Sequence, residues 1–287
     1  MPIALALLAA ALLAPIAPQE AAFESNGVTI RYASAGSGEA VVLVHGWMGD
    51  STMWGRDPAG NTKLEPAEGF RAIALDCRGH GKSGKPHDPA KYGAEMAEDV
   101  VRLLDHLDIR RAHLVGYSMG AFIVGHVVAN HPERAISAIY GGQAPLLTGE
   151  AGSREVDALA KAVEEGNGLG PYLMEVRPAL TRPQADALAK ALYSGKDAKA
   201  WALAGQSFKG LEVKKEDLLR AGVPSLFIYG SKEPESTLRR VAALRKDLKE
   251  AEEKVLDGAD HVAALRHPEF GATIVAFLKR HQGRLRN

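Results

Sequence analysis

The chain has 287 residues, 46% of them hydrophobic and 24% charged, with Lys plus Arg balancing Asp plus Glu at 35 each. That is the make-up of a soluble globular protein, and a neutral balance offers no long-range attraction to a polyanion such as nucleic acid. Cys77 is the single cysteine, which excludes an internal disulfide, a CxxC redox pair and a thiolate zinc site; the ten histidines hold no HExxH or HxH pattern, so neither metal nor cofactor is expected.

In chain order, the first feature is an unbroken apolar run from Ile3 to Ile16 that turns polar at Ala17-Pro18-Gln19-Glu20. It is short for a membrane span, and its small-residue exit suits a cleaved signal peptide, although no Lys or Arg precedes it. Residues 1–22 are therefore read as a leader and 23–287 as one domain, with the mature chain starting between Pro18 and Phe23. A secreted or periplasmic protein without a stable membrane anchor is expected.

Short apolar runs then alternate with amphipathic stretches, the pattern of a largely parallel sheet covered by helices. Strands are predicted at Val28–Tyr32, Ala40–Val44, Phe70–Leu75, Ala112–Gly116, Ala135–Tyr140, Val223–Tyr229 and Glu253–Leu256. Between them, Ala94 to Leu107 carries Met96, Val100, Val101, Leu103, Leu104 and Leu107 on one helical face. Gly120 to Asn130 reads as a buried helix stopped by His131-Pro132. From Gln143 to Ala221 the strands cease, and helical patterns follow at Glu155–Glu165, Pro183–Tyr193 and Lys196–Phe208. This stretch reads as a helical cap inserted into the sheet domain, with Tyr172, Leu173, Met174, Trp201 and Phe208 as its large side chains. A last helix is predicted over Pro268–Lys279, where Lys279, Arg280, Arg284 and Arg286 would complement the helix dipole.

Gly116-Tyr117-Ser118-Met119-Gly120 fits GxSxG, with an apolar strand before it and a small-residue helix after it. A serine on so tight a strand-to-helix turn stands clear of the sheet as a nucleophile, and a side chain at either glycine would crowd the turn. An attacked carbonyl also needs two N–H groups aimed at its oxygen. Met119 N–H is one, directly after Ser118, and Trp47 N–H in His45-Gly46-Trp47 is the natural second. His45 itself reads as a structural turn residue. The base is read as His261, in Gly258-Ala259-Asp260-His261 after the last strand, because histidine accepts a proton near neutrality. The acid that orients it should follow the strand ending at Tyr229, where Glu233 stands; Glu235, Asp257 and Asp260 are its competitors.

With these residues assembled, the chain resembles the α/β-hydrolase superfamily from about Val28 to its end. The resemblance rests on His45-Gly46-Trp47, Asp76 to Gly84 (DxRGHGxS), Gly116 to Gly120 and Gly258 to His261. It implies the α/β-hydrolase fold: a mostly parallel central sheet with helices on both faces and the cap at about 143–221. It also implies a structural loop at Asp76 to Gly84. The family usually carries Asp where this chain has Glu233, and some members use Glu. Similar epoxide hydrolases and haloalkane dehalogenases carry an Asp nucleophile, so Ser118 points instead to acyl transfer on a small-molecule ester or related substrate. Perhydrolases (haloperoxidase-like) and C–C bond hydrolases share the same triad, and a non-catalytic binding module of this fold is the reading from another class.

Overall fold

A single eight-stranded sheet organises the chain in the computed structural model, which describes residues 19–55, 67, 69–149, 160–165, 169–248 and 250–283. Its strands are β1 (Gln19–Ser25), β2 (Val28–Gly36), β3 (Glu39–Val44), β4 (Phe70–Leu75), β5 (Ala112–Tyr117), β6 (Ala135–Gly141), β7 (Ser225–Gly230) and β8 (Glu252–Leu256). They lie in the order β1-β2-β4-β3-β5-β6-β7-β8. The β1–β2 and β2–β4 pairs are antiparallel and the rest parallel. Central strands β5 and β6 are buried along their whole length, which is why they read as continuous apolar runs. β2, nearer the edge, alternates buried and exposed residues instead.

The helices are α1 (Ala94–His106), α2 (Met119–Asn130), α3 (Leu169–Val176), α4 (Arg182–Tyr193), α5 (Ala198–Gln206), α6 (Lys215–Ala221), α7 (Glu235–Asp247) and α8 (Pro268–His281). One face of the sheet is covered by α1 and α2, which contribute Met96, Val100, Leu104, Ile123 and Val127 to the larger core. The other face is covered by α8, whose Phe270, Ile274 and Phe277 pack on Val41, Val115 and Ile139. The predicted mostly parallel sheet with helices on both faces is thus the observed architecture.

Three details differ from the reading of the sequence. β1 lies outside the strands predicted from the sequence, and it places Gln19–Ala22, part of the expected leader, in the sheet. It forms because each residue from Gln19 to Ser25 pairs with β2 across an Asn26-Gly27 turn, whose φ angles of 48° and 75° are those Asn-Gly favours in a two-residue hairpin. Phe23 then buries against His106 at 5.2 Å, and Ser25 Oγ bonds Asp99. Second, α5 is shorter than Lys196–Phe208. Asp197 caps it by accepting from Ala200 N–H at 3.0 Å, and Phe208–Leu211 turns off as a 3-10 helix. Third, α3 and α6 are helices of eight and seven residues, too short to announce themselves by periodicity. Of the predicted helix Glu155–Glu165, 160–164 is helical. Its first residues lie outside the described ones, as do the run Ile3–Ile16, Arg284 and Arg286.

Candidate active site

From β3 the chain moves outward to β4 and returns on the other side to β5, making the adjacent C-terminal ends of β3 and β5 a topological switch point. His45-Gly46-Trp47 leaves β3 there and Ser118 follows β5. Glu233 follows β7 and His261 follows β8 on the same edge.

Ser118 sits at φ 55° and ψ −117°, a conformation costing a non-glycine residue about 1–3 kcal/mol. Its N–H donates to Gly141 O at 2.8 Å and its carbonyl accepts from Ala121 N–H at 2.8 Å, which hold the turn. Both flanking glycines are required by contact: a Cβ on Gly116 would lie 2.1 Å from Gly120 O, and one on Gly120 would lie 2.1 Å from Val44 O.

Ser118, His261 and Glu233 form one hydrogen-bonded row. His261 Nε2 is 3.0 Å from Ser118 Oγ, and His261 Nδ1 is 2.7 Å from Glu233 Oε2. A carboxylate only accepts, so the ring proton belongs on Nδ1 and Nε2 is left to accept from the serine hydroxyl. Glu233 is 5% exposed and His261 8%. The loops bearing them are laced together by Lys232 N–H to Ala259 O at 2.9 Å and Ser231 N–H to Leu256 O at 2.9 Å. The competing acids are engaged elsewhere. Glu235 lies in the first turn of α7, 3.7 Å from Arg239. Asp260 Oδ1 accepts from Val262 and Ala263 N–H at 3.0 and 2.8 Å, and Asp257 is 3.4 Å from Ser231 Oγ.

The His45-Gly46-Trp47 loop passes directly over the elbow, close enough that a Cβ on Gly46 would be 3.2 Å from Ser118 Cβ. Among the described residues neither Trp47 N–H nor Met119 N–H has a protein acceptor; Met119 N–H opens α2, where no intrahelical partner exists. The Trp47 indole N–H donates to Trp201 O on α5 at 2.8 Å, and its ring meets Tyr172 and Phe208 edge-on. Trp47 therefore joins the sheet edge to the cap, a tether not read from the sequence.

Beneath the site, His45 and Asp76 bind backbone. His45 Nδ1–H donates to Gly46 O at 2.7 Å while its Nε2 accepts from Cys77 N–H at 3.0 Å, and burial holds its pKa below the usual histidine value. Asp76 accepts from Ser51 N–H and Lys82 N–H, both at 2.7 Å. His80 Nδ1–H donates to Arg78 O at 3.0 Å; burial first, then the neighbouring His45, lowers its pKa to about 3.

Two further residues at the site were not singled out from the sequence. The Tyr117 hydroxyl donates to the main-chain carbonyl of His261, and Gly142, at φ 61°, would bring a Cβ within 3.1 Å of His261 Cε1. The available signal was a hydroxyl-bearing residue beside Ser118 and a Gly-Gly pair closing a buried strand. A cavity of about 390 Å³ lies beside the His261 loop, between Arg177 of the cap and Gly258, Val262 and Arg266. Neither Ser118 nor Glu233 lines it. Among the described residues no three His, Cys, Asp or Glu side chains are grouped as a metal site requires, and no helix is long and apolar enough to cross a membrane.

The family described as alpha/beta hydrolase fold matches residues 39–164. The dihydrolipoyllysine-residue acetyltransferase component of the acetoin cleaving system of Pseudomonas putida is 33% identical over 277 residues, 92% of this chain and 70% of that protein. This chain belongs to the α/β-hydrolase family. An epoxide hydrolase of Caballeronia sordidicola is 32% identical over 57% of this α/β-hydrolase, which spans only 47% of that relative's length. A solved carboxylesterase structure from the thaumarchaeon Nitrososphaera gargenis superposes with a TM-score of 0.75 at 21% identity, covering 92% of this chain and 98% of that one. Hydrolytic chemistry is the activity class this membership supports.

Proposed function

We propose that this α/β-hydrolase cleaves a carboxylic ester or related acyl substrate through an acyl-enzyme on Ser118, with His261 as general base and Glu233 as the acid that orients it. The observation that carries the reading is the unbroken row from Ser118 Oγ through His261 to Glu233 Oε2, at 3.0 and 2.7 Å. In this mechanism Oγ attacks the acyl carbon as its proton passes to His261 Nε2, and the buried Glu233 carboxylate stabilises the imidazolium. The carbonyl oxygen turns negative against the N–H groups of Trp47 and Met119. Collapse breaks the bond to the alcohol, which leaves with the proton from Nε2. Water then repeats the sequence on the acyl-enzyme, releasing the acid and restoring Ser118. The similarity to an epoxide hydrolase does not redirect the proposal, because a hydroxyl rather than a carboxylate stands at the elbow.

Export is part of the same proposal. Cleavage after Ala22 would strip Gln19–Ala22 from β1 and remove the Glu20–Lys82 ion pair at 2.6 Å. We therefore set the mature start at Pro18 or Gln19, which the intact mass of the exported protein tests; a start at Phe23 would reject it.

The chemistry is tested with a fluorophosphonate probe and a panel of esters of graded chain length. Wild type should be labelled at Ser118, and Ser118→Ala should lose labelling and on the order of 10³-fold or more in ester turnover. Equal labelling of the mutant would refute the nucleophile.

A further inference from the structure

We propose that Tyr117 positions the base: by donating its hydroxyl to the main-chain carbonyl of His261, it sets the distance between the imidazole and Ser118. The inference rests on the acyl-enzyme reading above and adds a residue to it. Tyr117 is the last residue of β5, so a single strand end carries the nucleophile on one residue and the brace on the one before it.

The ring is fixed on every side. It is 2% exposed, with its centroid 5.4 Å from that of His261 and edge-on to Phe270 of α8 at 5.9 Å. It fills space that two glycines leave open: a Cβ on Gly141 would lie 2.7 Å from Tyr117 Cδ2, and one on Gly142 would lie 2.8 Å from Tyr117 Cζ. Burial also keeps the phenol protonated far above neutral pH, so the group remains a donor.

The rest of the His261 loop is held mainly by bonds next to the histidine. Ala259 O accepts from Lys232 N–H, Asp260 caps Val262 and Ala263, and Asp260 O accepts from Ala264 N–H at 2.9 Å. Among the described residues, Tyr117 Oη is the group that grips the His261 backbone itself. Without it, the loop keeps its ends while its middle can move relative to Ser118. Because proton transfer needs the 3.0 Å contact between Nε2 and Oγ, a small displacement slows the chemical step without touching substrate.

Tyr117→Phe tests this, since it keeps the ring and removes only the hydroxyl. Rates are normalised to sites titrated with the fluorophosphonate, so partial misfolding does not enter. We expect kcat to fall about tenfold with KM within twofold, and the downfield proton signal of His261 Nδ1–H to shift or broaden. Replacing Tyr117 by 4-aminophenylalanine, which restores a donor at the same point, should recover at least half of the lost rate on a logarithmic scale. A kcat for Tyr117→Phe within twofold of wild type, or no recovery with the amino analogue, would overturn the proposal. Ser118→Ala is measured alongside. If it retains wild-type turnover the acyl-enzyme reading itself fails, whereas an inactive Ser118→Ala beside a fully active Tyr117→Phe removes only the brace.

Discussion

At the C-terminal edge of the sheet the supporting groups are polar, buried and tied by directional bonds, whereas the cap above it is held by apolar side chains. Arg78, fully buried, donates to both oxygens of Asp99 at 2.7 and 2.6 Å; Asp76 and His45 each join two stretches of backbone. In the cap, Val163, Leu169, Leu173, Ala185, Ala189 and Trp201 form a separate cluster. The two materials respond differently to change. Removing one partner of a buried ion pair costs about 3–5 kcal/mol because the other charge is stranded. Exchanging one apolar side chain for another of similar volume usually costs less than about 1.5 kcal/mol. An edge made of directional bonds has one geometry, as the row proposed to react requires. Among the described residues the side chains of the apolar cap cluster have no such directional bonds to one another, and Trp47, through its bond to Trp201 O, is the residue that joins the cluster to the edge.

The comparison breaks most severely if the edge tolerates loss of a partner. Glu233→Gln keeps the shape of the side chain but replaces one carboxylate oxygen with an NH2 donor and removes the negative charge beside His261 Nδ1. It should lower kcat by on the order of 10²- to 10⁴-fold in a folded protein. Glu235→Gln, two residues away but in the first turn of α7, should stay within a fewfold of wild type. Steady-state kinetics on one ester decide it, and reversed behaviour would move the acid from Glu233 to Glu235.

A smaller effect is expected from the cap. Tyr172 on α3 packs edge-on to Trp47 at 6.3 Å, so Tyr172→Ala opens space beside the residue that links cap and site. The ratio of kcat/KM for a longer to a shorter acyl ester should rise about tenfold, a shift of the size one or two methylenes command in an apolar pocket. The kcat on the short ester should change only a fewfold. Loss of activity across the whole panel would mean that the cap shapes the reacting row as well.

The same contrast governs what could be read without the structure. Groups constrained by local geometry were legible: the elbow glycines, whose Cβ atoms would strike backbone at 2.1 Å, and central strands buried on both faces. Ser118 directly follows β5, and Glu233 and His261 lie in the loops after β7 and β8, so the expected strand ends lead to all three candidate residues on one sheet edge. Contacts made across long separations were not. Trp47 reaches a backbone carbonyl 154 residues away and Tyr117 one 144 residues away, and a carbonyl leaves no mark in a sequence. β1 was missed for a related reason: Gln19–Ser25 is not apolar enough to announce a strand and is stabilised by pairing with β2. Its Asn26-Gly27 turn was the one local clue.

The smallest effect lies on the seam between the two regions and is read in stability. His80 donates to Arg78 O in the supporting loop, while its ring stacks on Trp201 of the cap at 6.4 Å. Burial, with His45 beside it, lowers its pKa from 6.5 to about 3 in the folded chain. Above pH 7 the ring is neutral whether folded or unfolded and contributes no pH dependence. As pH falls from 6.5 towards 3, the unfolded chain binds a proton that the folded chain refuses, so stability is lost across that window. At pH 5 the loss is about 2 kcal/mol, or several degrees in Tm for a chain of this size. His80→Asn retains a donor towards Arg78 O and removes the titration. It should lower Tm at pH 8, where the Trp201 stack is lost, yet reduce the further fall between pH 8 and pH 5 by several degrees relative to wild type. Groups remote from position 80 are common to both proteins, so the difference between the two slopes reports His80 together with its neighbour His45, 5.2 Å away. Parallel slopes would mean that its buried ring is protonated in the folded protein, and that the seam admits charge as readily as the solvent does.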